Sequence, residues 1–382
     1  MVITLLASVL LGQQVRPIEF ELNNNRIYVP TEIAGKGSWS VLETGSNTSL
    51  VDFGFARDAG IKGARMLSIV DLSGEPGQGM QLASREIKVR GTNYRAQTTM
   101  ALPLSIVSAL EGRPIAGVLG HNFLSQYTIR IDYQRKTLRL LPLGARKPAS
   151  SITVPIEVEP RAVYTFVRLK PRGGPPITMR AMIDTGVPGL AVMRHHFARK
   201  EGLWDSVAAP VEATGAVVGG AGMGKAVRLE SLQMGPVILQ EPVIVLGARD
   251  VGPLARHERY EMLIGAEALN RYIVTIDYWY GKMYLEPTKE VGKPFIGNRS
   301  GIVLAKEGSD VQVHSVWRDS PGLEAGLKAG DKVLGIGPWT DELPELELIR
   351  QFMNLQESAY EMKIGRGAEV LTVSIQPREI VL

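Results

Sequence analysis

The chain has 382 residues, 45% hydrophobic and 21% charged, a globular composition with enough length for two or three domains. A net charge of +4, with no Lys/Arg run longer than two, argues against the concentrated basic face that nucleic-acid binding needs. The lack of cysteine excludes disulfides, thiolate metal sites, a cysteine nucleophile and a lipid-modified cysteine anchor.

The first element is an apolar run from Val2 to Leu11, followed by Gly12 and polar Gln13-Gln14. It is too short to span a bilayer but suits the core of a secretory signal, although no Lys or Arg precedes it. Residues 1–14 are therefore expected to direct export to the periplasm or cell envelope. A buried N-terminal strand is the alternative. No later stretch is long and apolar enough to cross a membrane, so no integral span is expected.

Alternating and β-branched runs follow: IEFEL (18–22), TIRIDY (128–133), ITVPIEV (152–158), VIVL (243–246) and IVTIDY (273–278). Gly, Pro and Asn clusters separate them, which predicts a mainly β protein. Helical patterning is confined to short segments at 49–60 and 255–269.

The chain repeats itself. Residues 117–142 align without gaps to 262–287, with eight identical pairs at one offset of 145, among them Gly120/Gly265, Ile131/Ile276 and Asp132/Asp277. Two acid-Thr-Gly triplets, Glu43-Thr44-Gly45 and Asp184-Thr185-Gly186, lie 141 residues apart, and a four-residue change of offset is an ordinary loop insertion. Each triplet ends an apolar strand, and each copy later carries an apolar pair plus glycine: Val118-Leu119-Gly120 and Leu263-Ile264-Gly265. Between these motifs lie glycine-rich hairpin candidates at 71–80 and 216–225; Gly79 and Gly220 each fall 36 residues after their acid. Gly77 and Gly222 belong to the same segments.

Over roughly 15–290 this pattern resembles the retropepsin-like aspartic peptidases, in a single-chain form with two fused lobes. The resemblance implies two homologous β-barrel lobes, 15–147 and 148–290, with Glu43 and Asp184 facing each other as a catalytic dyad. Like charges so close cannot both ionise, so the pair would share one proton. The ionised member would take a proton from water while the protonated one polarises the peptide carbonyl, a chemistry that needs no cofactor or metal. Thr44 and Thr185 would tie the two loops together. Gly45 and Gly186 would allow tight turns that aim N–H groups at the acids, and Ser46 fills the family's small-residue position. The glycines of the hairpins would form flaps over an extended polypeptide substrate.

Glu43 departs from the family's Asp. Its extra methylene moves the carboxyl by roughly 1.3–1.5 Å, and a displacement of about 1 Å can cost on the order of a hundredfold in rate. Two outcomes stay open: a working endopeptidase, or a peptide-binding protein that kept the cleft and lost hydrolysis. Lobe 2 also departs, with Val187-Pro188 after its triplet.

Other motifs carry less. GGAGMGKA (219–226) mimics a phosphate-binding loop, but Ala226 cannot ligate magnesium and a strand-like pattern follows. His195-His196 is an adjacent pair with His121, His257 and His314 scattered, which makes no zinc pattern. There is no G-x-S-x-G elbow.

The last segment, 295–382, resembles a PDZ domain of the kind attached to bacterial envelope proteases. The resemblance rests on Ser320-Pro321-Gly322-Leu323 and on Ala325 to Val333 with its Gly330-Asp331 turn. It implies a groove helix at 345–355, a closing strand at 370–376, and a carboxylate-binding loop at Ser300-Gly301-Ile302-Val303 that takes a protein C-terminus.

Overall fold

The computed structural model describes residues 16–70, 76–206, 211–217, 220–250 and 259–381. The apolar run Val2–Leu11 lies outside them. The protein is mainly β, and among the described residues the strands assemble into four sheets.

Two sheets share one wiring. In the first, the hairpin of Arg26–Ile33 and Lys36–Leu42 is followed by Leu50–Asp52, a long hairpin of Gly63–Val70 and Pro76–Val89, then Arg95–Leu102 and Gly117–Leu119. In the second the same places are taken by Ala162–Lys170, Ile177–Ile183, Ala191–Met193, the hairpin Val211–Val217 with Gly220–Arg228, Val243–Gly247 and Met262–Ile264. The register repeats as well: Val41 pairs in parallel with Val118, and Met182 with Leu263. These short runs are apolar at every position because both faces are buried, as parallel strands require.

That burial corrects one expectation. The helical pattern at 255–269 is interrupted by the strand Met262–Ile264, and a helix follows only over Ala266–Leu269. A continuous apolar run served a strand buried on both faces, which periodicity alone cannot tell from a helix. Likewise the 49–60 segment begins as the strand Leu50–Asp52 before its helix, Phe53–Asp58, capped by the Asp52 carboxylate on Phe55 N–H at 2.8 Å.

A third, six-stranded sheet joins the lobes. Thr128–Asp132 runs antiparallel to Tyr272–Asp277, with Ile129 opposite Ile276, Arg130 opposite Thr275 and Ile131 opposite Val274. Since the repeat offset here is 145, Arg130 lies opposite its own counterpart. The pseudo-twofold axis passes through that pair. One hydrophobic core runs continuously through both lobes and this sheet, including Leu42, Ile131, Ile183 and Val274.

The C-terminal domain has its own core and a five-stranded sheet in the order Ile302–Glu307, Asp310–Val316, Lys332–Ile336, Tyr360–Arg366, Glu369–Ile375. Ser320 caps the short helix Pro321–Glu324 through Leu323 N–H, and Gly330, at φ +89, makes the turn before Asp331. Asp331 is buried and paired with Arg366 at 2.6 Å. The amphipathic helix Leu346–Leu355 turns Leu346, Ile349 and Met353 inward.

This domain is docked on both lobes. Trp317, Val381 and Val303 pack with Ala226, Val243 and Val245 at the base of the second-lobe hairpin. Helix Ser105–Glu111 of the first lobe packs against Ile302–Glu307, and Gly112, its left-handed cap at φ +75, leaves room for Leu346 alone: a Cβ there would lie 2.6 Å from Leu346 Cβ. No described helix is long and apolar enough to cross a membrane.

Candidate active site

Glu43 and Asp184 are held in the same way by their own lobes. Glu43 N–H donates to Leu119 O at 3.0 Å and Asp184 N–H to Ile264 O at 2.8 Å, so each acid hangs from the end of the neighbouring parallel strand. Each loop then closes on the residue after the apolar-apolar-Gly motif: His121 N–H on Ser46 O at 2.8 Å, Ala266 N–H on Val187 O at 2.7 Å. The motif glycines are fixed by close approach. A Cβ on Gly120 would lie 2.5 Å from Thr48 O, and one on Gly265 2.1 Å from Gly189 O. Ser46 and Val187 thus occupy equivalent positions, and Ser46 spends its hydroxyl on Thr48 O at 2.9 Å.

The two loops meet across the axis through their threonines. Thr44 Oγ1 donates to Ile183 O and accepts Thr185 N–H, while Thr185 Oγ1 donates to Leu42 O and accepts Thr44 N–H. Gly45 and Gly186 serve a second purpose besides aiming their N–H groups at Asp184. Neither is in the left-handed region; each is a notch for the opposite acid. A Cβ on Gly45 would lie 2.3 Å from the Asp184 carboxyl carbon, and one on Gly186 2.6 Å from that of Glu43. Only a residue without Cβ admits the other lobe's carboxyl.

Both acids are almost completely buried, Glu43 6% and Asp184 5% exposed. Burial, and then the charge of Asp184, push Glu43 well above the ordinary carboxylate range, while the Arg26 guanidinium pulls the other way. Burial raises Asp184 to about 6, opposed by the N–H of Gly186, by Arg26 and by the N–H of Gly45. The Gly186 bond to Asp184 Oδ1 measures 2.8 Å. Glu43 Oε2 finds no hydrogen-bond partner among the described residues. The pair is therefore chemically unequal: the backbone donors converge on Asp184.

Sequence reasoning missed three residues around the pair. Arg26, fully buried, donates from Nε to Gly186 O at 2.7 Å and pairs with buried Glu111. Tyr260, buried beside Tyr164, is raised first by burial and then by the charge of Asp184. Setting the two repeats side by side would have exposed Arg26, since Ala162 takes the equivalent place: Tyr28 faces Val41 as Tyr164 faces Met182.

The hairpin glycines lie in the returning arms. Gly77 is opposite Ile69 and Gly79 opposite Leu67; Gly220 is opposite Val217 and Gly222 opposite Gly215. The tips, 71–75 and 218–219, lie outside the described residues. From Gly220 onward the phosphate-loop mimic is strand through Arg228, with Gly224–Arg228 paired to Val243–Gly247. His195 sets its ring against Trp204 and its Nδ1 on Gly247 O, and His121 packs on Tyr278; His257 lies outside the described residues.

In the C-terminal domain, the loop at Ser300–Val303 uses its donors internally. Ser300 and Gly301 N–H both reach Asn298 Oδ1, at 3.1 and 2.9 Å, and Ile302 N–H reaches Ser300 Oγ at 3.4 Å. Val303 faces the second-lobe seam.

No protein-family model matches the chain, and no curated protein matches it. Among solved structures it is similar to the basic 7S globulin of soybean, at 12% identity and a TM-score of 0.40, over 71% of this chain and 94% of that one. It is also similar to a retropepsin-like aspartic protease from Rickettsia conorii, at 18% identity and a TM-score of 0.26, over 35% of this chain and 89% of that one. The arrangement of the two acids, and not these likenesses, carries the functional reading.

Proposed function

We propose that the chain is an aspartic-type endopeptidase that hydrolyses polypeptides with a dyad of Asp184 and Glu43 and an activated water. The observation that carries this reading is the reciprocal notch: each lobe places a glycine where the other lobe's carboxyl enters, so both acids meet in one buried site. The roles follow from the inequality of the pair. Asp184, favoured as the anion by the Gly45 and Gly186 N–H groups, is the base that takes a proton from water. Glu43, with no donor on Oε2 among the described residues, holds the shared proton and gives it to the scissile carbonyl. The substrate would lie extended beneath the two glycine-bearing hairpins.

The C-terminal domain is read as a PDZ-type module. A partner's C-terminus would enter its groove only after the Ser105–Glu111 helix has left Ile302–Glu307, because that helix and Gly112 now touch both the edge strand and the start of the groove helix. Export to the periplasm or cell envelope is part of the proposal and rests on the apolar run Val2–Leu11.

The competing reading, a peptide binder disabled by the extra methylene of Glu43, is separated by one comparison. Wild type, Asp184→Asn and Glu43→Asp are assayed on a mixed peptide library from acid to neutral pH. Cleavage by wild type that disappears in Asp184→Asn supports the peptidase. Silence from wild type with strong cleavage by Glu43→Asp establishes the binder, and cleavage surviving Asp184→Asn removes the dyad.

A further inference from the structure

We propose that Arg26 is a positioning residue for the dyad, holding the Asp184-Thr185-Gly186 loop through Gly186 O, and that the C-terminal domain sets its placement through Glu111. This deepens the peptidase reading and rests on it for its functional meaning.

The pseudo-twofold frame makes Arg26 conspicuous. Tyr28 and Tyr164 are equivalent, and each carries an arginine over its ring, Arg113 at 4.3 Å and Arg180 at 4.0 Å. Two residues before them the copies part: Arg26 in the first lobe, Ala162 in the second, both buried. A buried guanidinium carries a large desolvation cost and persists only with partners fixed around it. Here those are Gly186 O, across the lobe boundary, and Glu111. The bond reaches the carbonyl of the same glycine whose N–H holds Asp184 Oδ1, so a shift of Arg26 moves the donor that orients the base.

Glu111 is in turn a hub. Its carboxylate accepts Asn23 Nδ2 at 3.0 Å, Asn24 Nδ2 at 2.9 Å and Tyr28 OH at 3.3 Å. It ends the helix against which the C-terminal domain docks. From that domain Glu347 accepts Asn24 N–H at 2.8 Å, and Arg350 Nη1 reaches Glu111 O at 3.4 Å. The path from the groove helix to the dyad is thus Arg350 or Glu347, Glu111 with its asparagines, Arg26, Gly186. The ionisable groups facing it are Glu43, Asp184 and Tyr260 at the dyad, and Tyr28, Arg113, Glu347 and Arg350 around Glu111.

The test uses the full chain and needs no activity. Carboxyl carbons of Asp and Glu are labelled with carbon-13, the Asp184 and Glu43 resonances are assigned with Asp184→Asn and Glu43→Gln, and both are titrated. In Arg26→Met the Asp184 midpoint rises by about one pH unit, the loss of one nearby cation; in Arg26→Lys, which keeps the charge, it rises by less than half of that. Amide exchange in the 182–190 segment is then measured for wild type and for the partly exposed variants Glu347→Ala and Arg350→Met. Loss of the docking contacts speeds exchange there by roughly tenfold. An unchanged Asp184 midpoint in Arg26→Met, or in Arg26→Gln where Arg26→Met does not fold, together with a wild-type exchange rate in both docking variants, overturns the proposal even where thermal stability falls. A protein that shifts its midpoints yet cleaves nothing leaves Arg26 in its role and removes the peptidase; one that cleaves with unshifted midpoints does the reverse.

Discussion

Thr44 and Thr185 close a ring across the lobe boundary, each hydroxyl donating at 2.8 Å to the strand that feeds the other's loop and accepting the other's N–H at 3.1 Å. Thr44→Val leaves Ile183 O and Thr185 N–H buried without their partner. The expected loss is about 2–4 kcal/mol by urea denaturation, with Thr44→Ser within about 1 kcal/mol of wild type. Thr185→Val should cost as much, and the double variant less than the sum, because the two belong to one ring.

Gly186→Ala and Gly265→Ala should fail in different ways. The three atoms nearest a Cβ added at Gly186 all belong to the Glu43 side chain and none to backbone, so Glu43 is what must shift. Cleavage should then drop on the order of a hundredfold while the protein stays folded. The Cβ added at Gly265 meets backbone carbonyls of Gly189 and Val187 that cannot yield. There the loss is stability, about 3 kcal/mol, read as a fall in Tm.

The dyad should make the fold less stable as pH rises. An acid whose folded pKa is raised binds its proton more tightly when folded, so its contribution is full below the unfolded pKa and is lost as pH climbs through the folded value. For Asp184, raised from 3.8 to about 6, the window is pH 4 to 6 and the loss about 3 kcal/mol. Asp184→Asn should therefore be more stable than wild type at pH 7.5, and the difference between the two stability curves should vanish near pH 4. A constant difference across that range would contradict the raised pKa.

Ala226, 4% exposed in the seam with Trp317 and Val381, is the place to separate the C-terminal domain from the lobes. Ala226→Glu buries an unpaired charge there. Limited proteolysis should then cut between residues 288 and 300 faster than in wild type, and the radius of gyration from small-angle scattering should rise.

The elements legible in the sequence are those the duplication wrote twice. Two triplets in frame with two apolar-apolar-Gly motifs led to the strands that carry Glu43 and Asp184, since both copies obey the same close contacts. What was written once stayed hidden. Arg26 and Glu111 are 85 residues apart, belong to no periodic pattern, and find each other only through the closed first-lobe sheet. The second use of Gly45 and Gly186, as notches, stayed hidden for a related reason: it comes from a side chain 139 or 143 residues away, not from their own backbone. The donors of Ser300 and Gly301 are taken by Asn298, two and three residues back, and the only sign of this in the sequence is the Asx turn that an Asn at that place can make.

The sheet in which Arg130 faces Thr275 has a consequence for how this site could arise. A homodimer of one lobe would put the same residue on both sides of its axis, so every change would strike twice. Joined in one chain, the halves are free to diverge, and a glutamate, an arginine and a docked third domain can each be confined to one side. Two acids that a homodimer would force to be identical are thereby free to differ in length and in surroundings, as Glu43 and Asp184 do.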